Sequence, residues 1–105
     1  MKNSYIVIMV ATANKQEAEK ICKKLLEEKL IACANIIGPV TSHFHWSGVI
    51  DTAEEYIAFL KSRSDLFETI AGHIQKMHSY KVPEILALNV VNGSKPYIDW
   101  MDSIL

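Results

Sequence analysis

The chain has 105 residues, half of them apolar, and a net charge of −1 at pH 7. That length suits one domain with its own core, and that composition is wrong for disorder. The nearly balanced charge leaves no electrostatic footprint for nucleic acid or an acidic membrane, and no stretch approaches the roughly 20 apolar residues of a membrane span.

Tyr5 to Val10 is a continuous apolar run with β-branched residues, the pattern of a buried strand. With Lys2 before it and Ala11-Thr12-Ala13 after it, the run imitates a minimal signal peptide. Its apolar stretch is shorter than the usual length of roughly 7–15 residues, so a strand is expected, in a cytoplasmic protein. Cys22 and Cys33 form no spaced motif and read as free thiols of a reducing compartment. Asn14 caps a helix, with Glu17 in capping-box position. Ala18, Ile21, Cys22, Leu25 and Leu26 form its apolar stripe, which ends near Lys29. Lys23 and Lys24 beside Glu27 and Glu28 read as its solvated face.

Ala32 to Ile37 starts a second strand, whose ladder Gly38-Pro39 interrupts. From Val40 to Ile50 the chain alternates as one long strand. Val40, Ser42, Phe44, Trp46, Gly48 and Ile50 share one face; Thr41, His43, His45, Ser47 and Val49 share the other. Such a strand spans roughly 36 Å at about 3.3 Å per residue. A domain of this size has a radius of gyration of about 13 Å. A strand as long as its own domain, carrying Phe44 and Trp46, calls for another chain to cover it. Asp51 to Glu54 is expected to turn. Glu55 to Lys61 then returns with Ile57 and Phe59 on one face and Tyr56, Ala58 and Leu60 on the other.

A second helix is expected from Ser64 or Asp65, with Glu68 completing a capping box with Asp65. Its buried stripe is Leu66 or Phe67, Ile70, Ile74 and Met77. His78 to Val82 reads as a loop, and Pro83 admits a last strand from Glu84 to Val91. Asn92-Gly93-Ser94 turns the chain into a short helix with Pro96 in its first turn. The order β-α-β-β-α-β plus a C-terminal helix is the ferredoxin-like α+β pattern: two helices on one face of an antiparallel sheet, in a single domain over residues 1–105.

Four stretches carry a family resemblance: Leu30-Ile31-Ala32-Cys33-Ala34-Asn35-Ile36, Trp46-x-Gly48-x-Ile50, His78-x-Tyr80-x-Val82-Pro83-Glu84-Ile85 and Tyr97-x-x-Trp100. In this order, over nearly the whole chain, they resemble the CutA family of divalent-cation tolerance proteins. The resemblance implies a ferredoxin-like protomer related to the PII signalling proteins and a tight homotrimer built through long hairpin arms. Phe44, Trp46 and Ile50 would then lie at the trimer interface. It also implies a link to tolerance of copper and other heavy metals, with no enzymatic activity and no organic cofactor. Two departures are plain. Family members usually read His-Pro-Tyr where this chain has His78-Ser79-Tyr80. The metal site of some bacterial members joins a strand-end cysteine to a histidine pair; the matching positions here read Val10 and Met77-His78.

Five residues offer donors to copper or another divalent cation. His78 is the first choice, and Met77 beside it suits Cu(I), although Met77 also completes a helix stripe. His43 and His45, two apart on one strand face, can chelate a borderline metal, or can decorate a half-exposed strand or a subunit contact. Cys33 sits between apolar neighbours, where a buried inert thiol is the default, but it remains an available soft donor. Tyr80, Lys81 and Glu84 are expected to line a cleft between protomers that takes a small ligand, a reading that rests partly on PII analogy.

Rival functions fit less well. An acylphosphatase-like enzyme of this topology needs a phosphate-cradling arginine loop after the first strand, and the only arginine is Arg63. An RNA-binding sheet needs stacked aromatics on its central strands and a basic surround. No nucleophile stands at a spacing that suggests a paired base.

Overall fold

The computed structural model describes residues 4–105, so Lys2, the basic flank of the signal-like segment, lies outside it. Its elements run β1 (Tyr5–Thr12), α1 (Lys15–Glu27), β2 (Cys33–Trp46), β3 (Val49–Arg63), a 3₁₀ turn (Ser64–Leu66), α2 (Phe67–Met77), β4 (Ile85–Val90) and α3 (Lys95–Ile104). The four strands form one antiparallel sheet in the order β2-β3-β1-β4. This is the ferredoxin-like α+β arrangement that the sequence pattern predicts.

The core follows from alternation along β1 and β3. Ile6, Ile8 and Val10 lie opposite Ser62, Leu60 and Ala58, and all six are buried. Ile21, Cys22 and Leu25 of α1 and Ile70 and Ile74 of α2 close over them, with Leu66, Phe67 and Met77 packed at the margin. Both helix stripes are the expected ones except at Leu26, which is exposed on α1 beyond the edge of the buried face. Burial pushes the Cys22 thiol up to about 11, with Glu19 adding to the shift. That thiol behaves as a small core hydrophobe. On the opposite face of the sheet lies α3. The Tyr5 hydroxyl donates to both carboxylate oxygens of Asp102, at 2.9 and 2.8 Å. The Lys61 ammonium sits 5.6 Å from the centre of the Tyr97 ring.

Two helix starts behave differently. At α1, Asn14 accepts from the Glu17 amide at 2.8 Å, while the Glu17 carboxylate accepts from the Ala13 amide at 3.0 Å. The second helix has no such box. Asp65 instead takes the Arg63 guanidinium, at 3.1 and 3.3 Å, and the chain enters α2 through the 3₁₀ turn without a side-chain cap.

The long arm also differs from expectation. It is a hairpin that turns at Ser47-Gly48, not at Asp51 to Glu54, because Trp46 pairs with Val49. Both turn residues have positive φ, 51° and 80°. That pattern matches the right-handed strand twist, and Gly48 makes it inexpensive at the second position. The alternation of strand-forming residues continues unbroken through the turn, which hid it from periodicity. One consequence concerns Ile50. It lies opposite His45, so it sits on the histidine face of the arm, while Phe44 and Trp46 share their face with Asp51 and Val49. Ile50 therefore does not join Phe44 and Trp46 in one apolar patch.

The whole of β2 nonetheless runs the length of the molecule: its fourteen residues correspond to roughly 46 Å at about 3.3 Å each, and the longest dimension is 45 Å. At the base of the arm, Gly38-Pro39 forms a bulge between the pairs Ile37–Ile57 and Val40–Glu55. A side chain at position 38 would start only 2.5 Å from Cδ2 of Tyr56, so the ring requires a glycine there.

Candidate functional site: the cleft at the base of the arm

The residue expected as the principal metal ligand instead locks the chain behind α2. The His78 side chain is fully buried. Its Nε2 lies 2.7 Å from the Ala11 carbonyl oxygen, and its Nδ1 accepts from the Tyr80 amide at 3.0 Å. An oxygen acceptor on one side and an N–H donor on the other fix the neutral tautomer with the proton on Nε2. Both nitrogens are thus engaged, and no lone pair is free for an ion. This corrects the expectation for His78.

Glu17 completes the lock. Its Oε2 accepts from the Ser79 amide at 2.6 Å and stands 3.8 Å from His78 Nδ1. Burial raises the affinity of this carboxyl for a proton. Hydrogen bonds from Ser79 and Ala13 outweigh that effect and hold it below the usual carboxylate range.

The other proposed donors do not converge. Cys33 pairs with Lys61, whereas His78 bonds to Ala11, which lies opposite Ile57. Four β3 residues separate those levels, about 13 Å. His43 and His45 pair with Thr52 and Ile50, farther out in the other direction. Met77 packs against the core, and Val10 is wholly buried on the helix side of the sheet. Among the described residues, no three His, Cys, Asp or Glu side chains are grouped to hold a metal ion. One protomer therefore does not fit a metal centre.

The lock positions a cleft. With residues 78–80 held in place, Tyr80 points its hydroxyl at Glu55, donating to Oε2 at 2.9 Å. Burial, and then the bond to Glu55, push the Tyr80 phenol up to about 12. A cavity of about 720 Å³ opens beside this pair, within the size range of small-molecule sites. Tyr80, Lys81 and Glu84 all line it, so the structure brings together the three residues expected to share a cleft. Phe44, Trp46 and His43 of the arm border it as well.

Sequence reasoning missed Glu55 and Asp51. Glu55 shares its strand face with Ile57 and Phe59, and a carboxylate on an otherwise apolar alternation was the available signal. Asp51 was assigned to a turn that lies elsewhere.

Comparison with known proteins settles the family. Residues 6–104 match the family described as CutA1 divalent ion tolerance protein. The chain belongs to that family. It is 41% identical over 95 residues to the divalent-cation tolerance protein CutA of Archaeoglobus fulgidus, covering 90% of this chain and 92% of the relative. The solved structure of the A. fulgidus protein, described as periplasmic, superposes with a TM-score of 0.93 at 39% identity, over 95% of this chain and 97% of the other. The chloroplastic CutA protein of Arabidopsis thaliana is 33% identical over 91% of this chain. The chain spans only 53% of that plant protein's length.

Proposed function

We propose that the chain acts in divalent-cation tolerance as a homotrimer joined through its β2–β3 arms. The observation that carries this reading is the uncovered arm. Trp46 is 59% exposed and Ile50 73% exposed, with Val49 and Phe44 exposed beside them, in a chain whose core is otherwise well filled. Exposed apolar surface of this kind, with both arm faces contributing, marks a protein contact. The sheet's two edges, β2 and β4, are unlike, and a contact of the β2 edge of one copy with the β4 edge of the next is heterologous, the kind that builds a ring when its rotation closes. The number three comes from the CutA resemblance.

Metal binding in this reading is weak and needs donors from more than one copy. His43 and His45 share an arm face that His78 cannot reach, and two imidazoles make an incomplete site on their own. Calorimetry with copper and zinc on the wild type and on His43→Ala/His45→Ala tests it. Binding that the double substitution abolishes supports the arm site. Binding that it leaves intact removes the histidine pair from the account. No catalytic role is proposed. The unpaired Cys22 and Cys33 go with a cytoplasmic setting.

A second reading, a PII-like regulatory trimer with a small ligand in its cleft, is favoured by the cavity beside Tyr80, Lys81 and Glu84.

A further inference from the structure

Glu55 is the least expected residue of the cleft. It is only 8% exposed, and among the described residues its side chain accepts a hydrogen bond from the Tyr80 hydroxyl on Oε2. Among the described residues, no lysine, arginine or histidine side chain forms an ion pair with it. A buried carboxylate loses its hydration, and one neutral hydroxyl offsets only part of that loss. Tyr80 is a dependable donor here, since burial and Glu55 hold its phenol protonated to about pH 12.

Around Glu55 the wall carries two more carboxylates, Asp51 and Glu84, against the single ammonium of Lys81. The interior field is therefore negative and repels an anionic ligand. Three aromatic rings, Phe44, Trp46 and Tyr80, also line the cavity. Ring quadrupoles attract a cation that has shed part of its water. A volume of about 720 Å³ far exceeds what a bare ion fills, and no group of three donors is present to coordinate a metal.

We propose that the cleft selects a small organic cation, an ammonium or guanidinium group on a short carbon chain, with Glu55 as its counter-ion and the Tyr80 ring beside it. The inference rests on the reading of this cleft as a small-ligand site, and it names the ligand's charge class.

The test uses three probes: agmatine, a dication with an ammonium and a guanidinium group on a four-carbon chain, and the somewhat shorter pentanoate and pentanamide. Binding is followed by calorimetry and by Trp46 fluorescence in a Trp100→Phe background, since α3 packs by Tyr5 and Lys61, at the far end of β1 and β3 from Ala11 and Glu55. Agmatine is expected to bind saturably, with the anion and the neutral amide at least tenfold weaker. Glu55→Gln keeps an acceptor for the Tyr80 hydroxyl, so sedimentation and melting should stay close to wild type while agmatine affinity falls at least tenfold. Asp51→Asn, on the arm, should weaken agmatine less, and it carries the test if Glu55→Gln does not fold. Pentanoate or pentanamide binding as tightly as agmatine overturns the cation assignment and leaves the cleft reading standing. Unchanged agmatine binding in both variants overturns it as well. If none of the three probes binds, the cleft reading and the cation assignment fall together.

Discussion

Truncating His78 to alanine should destabilise the protein by about 3–5 kcal/mol, a large effect for one side chain. The ring is fully buried and ties Ala11, 67 residues before it in the sequence, to Tyr80. Its removal leaves the Ala11 carbonyl and the Tyr80 amide without partners, each at about 1–3 kcal/mol. The Tyr80 amide belongs at the low end, because its surroundings are only partly buried. The emptied ring volume adds roughly 1 kcal/mol more. Urea unfolding at fixed protomer concentration measures the total, and hydrogen exchange at the Tyr80 and Ser79 amides locates it. Protection at both amides should collapse before the rest of the sheet opens. A loss under 1 kcal/mol with Tyr80 protection intact would refute the lock. Stability preserved with copper binding lost would make His78 a ligand after all.

Trp46→Ala should weaken assembly more than any single change on the exposed faces of α1, since a buried aromatic contributes about 1.5–3 kcal/mol; a dilution series in the ultracentrifuge reads it. Tyr80 has its folded pKa raised to about 12 from 10. The stability it contributes is therefore complete below pH 10 and lost as pH rises to about 12, and Tyr80→Phe should flatten that part of a urea-midpoint profile relative to wild type. Glu17 has the opposite sign. Its folded pKa is depressed, so its contribution is present above the ordinary carboxylate range and disappears as acid titrates it through the folded value. A Glu17→Gln protein should accordingly lose less stability between pH 5 and 3 than wild type does, in the same assay. Gly38→Ala forces the Tyr56 ring off its seat and should lower the melting temperature by several degrees in calorimetry.

Periodicity exposed most of this fold. The continuous apolar β1 run reports a buried strand and the two helix stripes each report burial on one face, and burial is what such patterns encode. It could not locate the arm's turn, because Ser47-Gly48 reverses the chain by backbone conformation while the residues around it remain good strand formers. Asp65 illustrates a second limit. Its box with Glu68 was a reasonable local pattern, but the Arg63 guanidinium two residues away offers a charged partner, which wins. The cleft was half legible. Tyr80, Lys81 and Glu84 follow one another closely, so sequence alone could group them. Glu55 reaches them only through the sheet, and the two bonds that engage His78 connect it to a strand and to a later amide. No local spacing reveals such partners.

Sedimentation of the wild-type protein at micromolar concentration tests the central claim most directly. The account predicts one species of three 11.9 kDa chains, about 36 kDa, with no monomer on tenfold dilution. A stable 11.9 kDa monomer, its arm exposed and its fold intact, would contradict it.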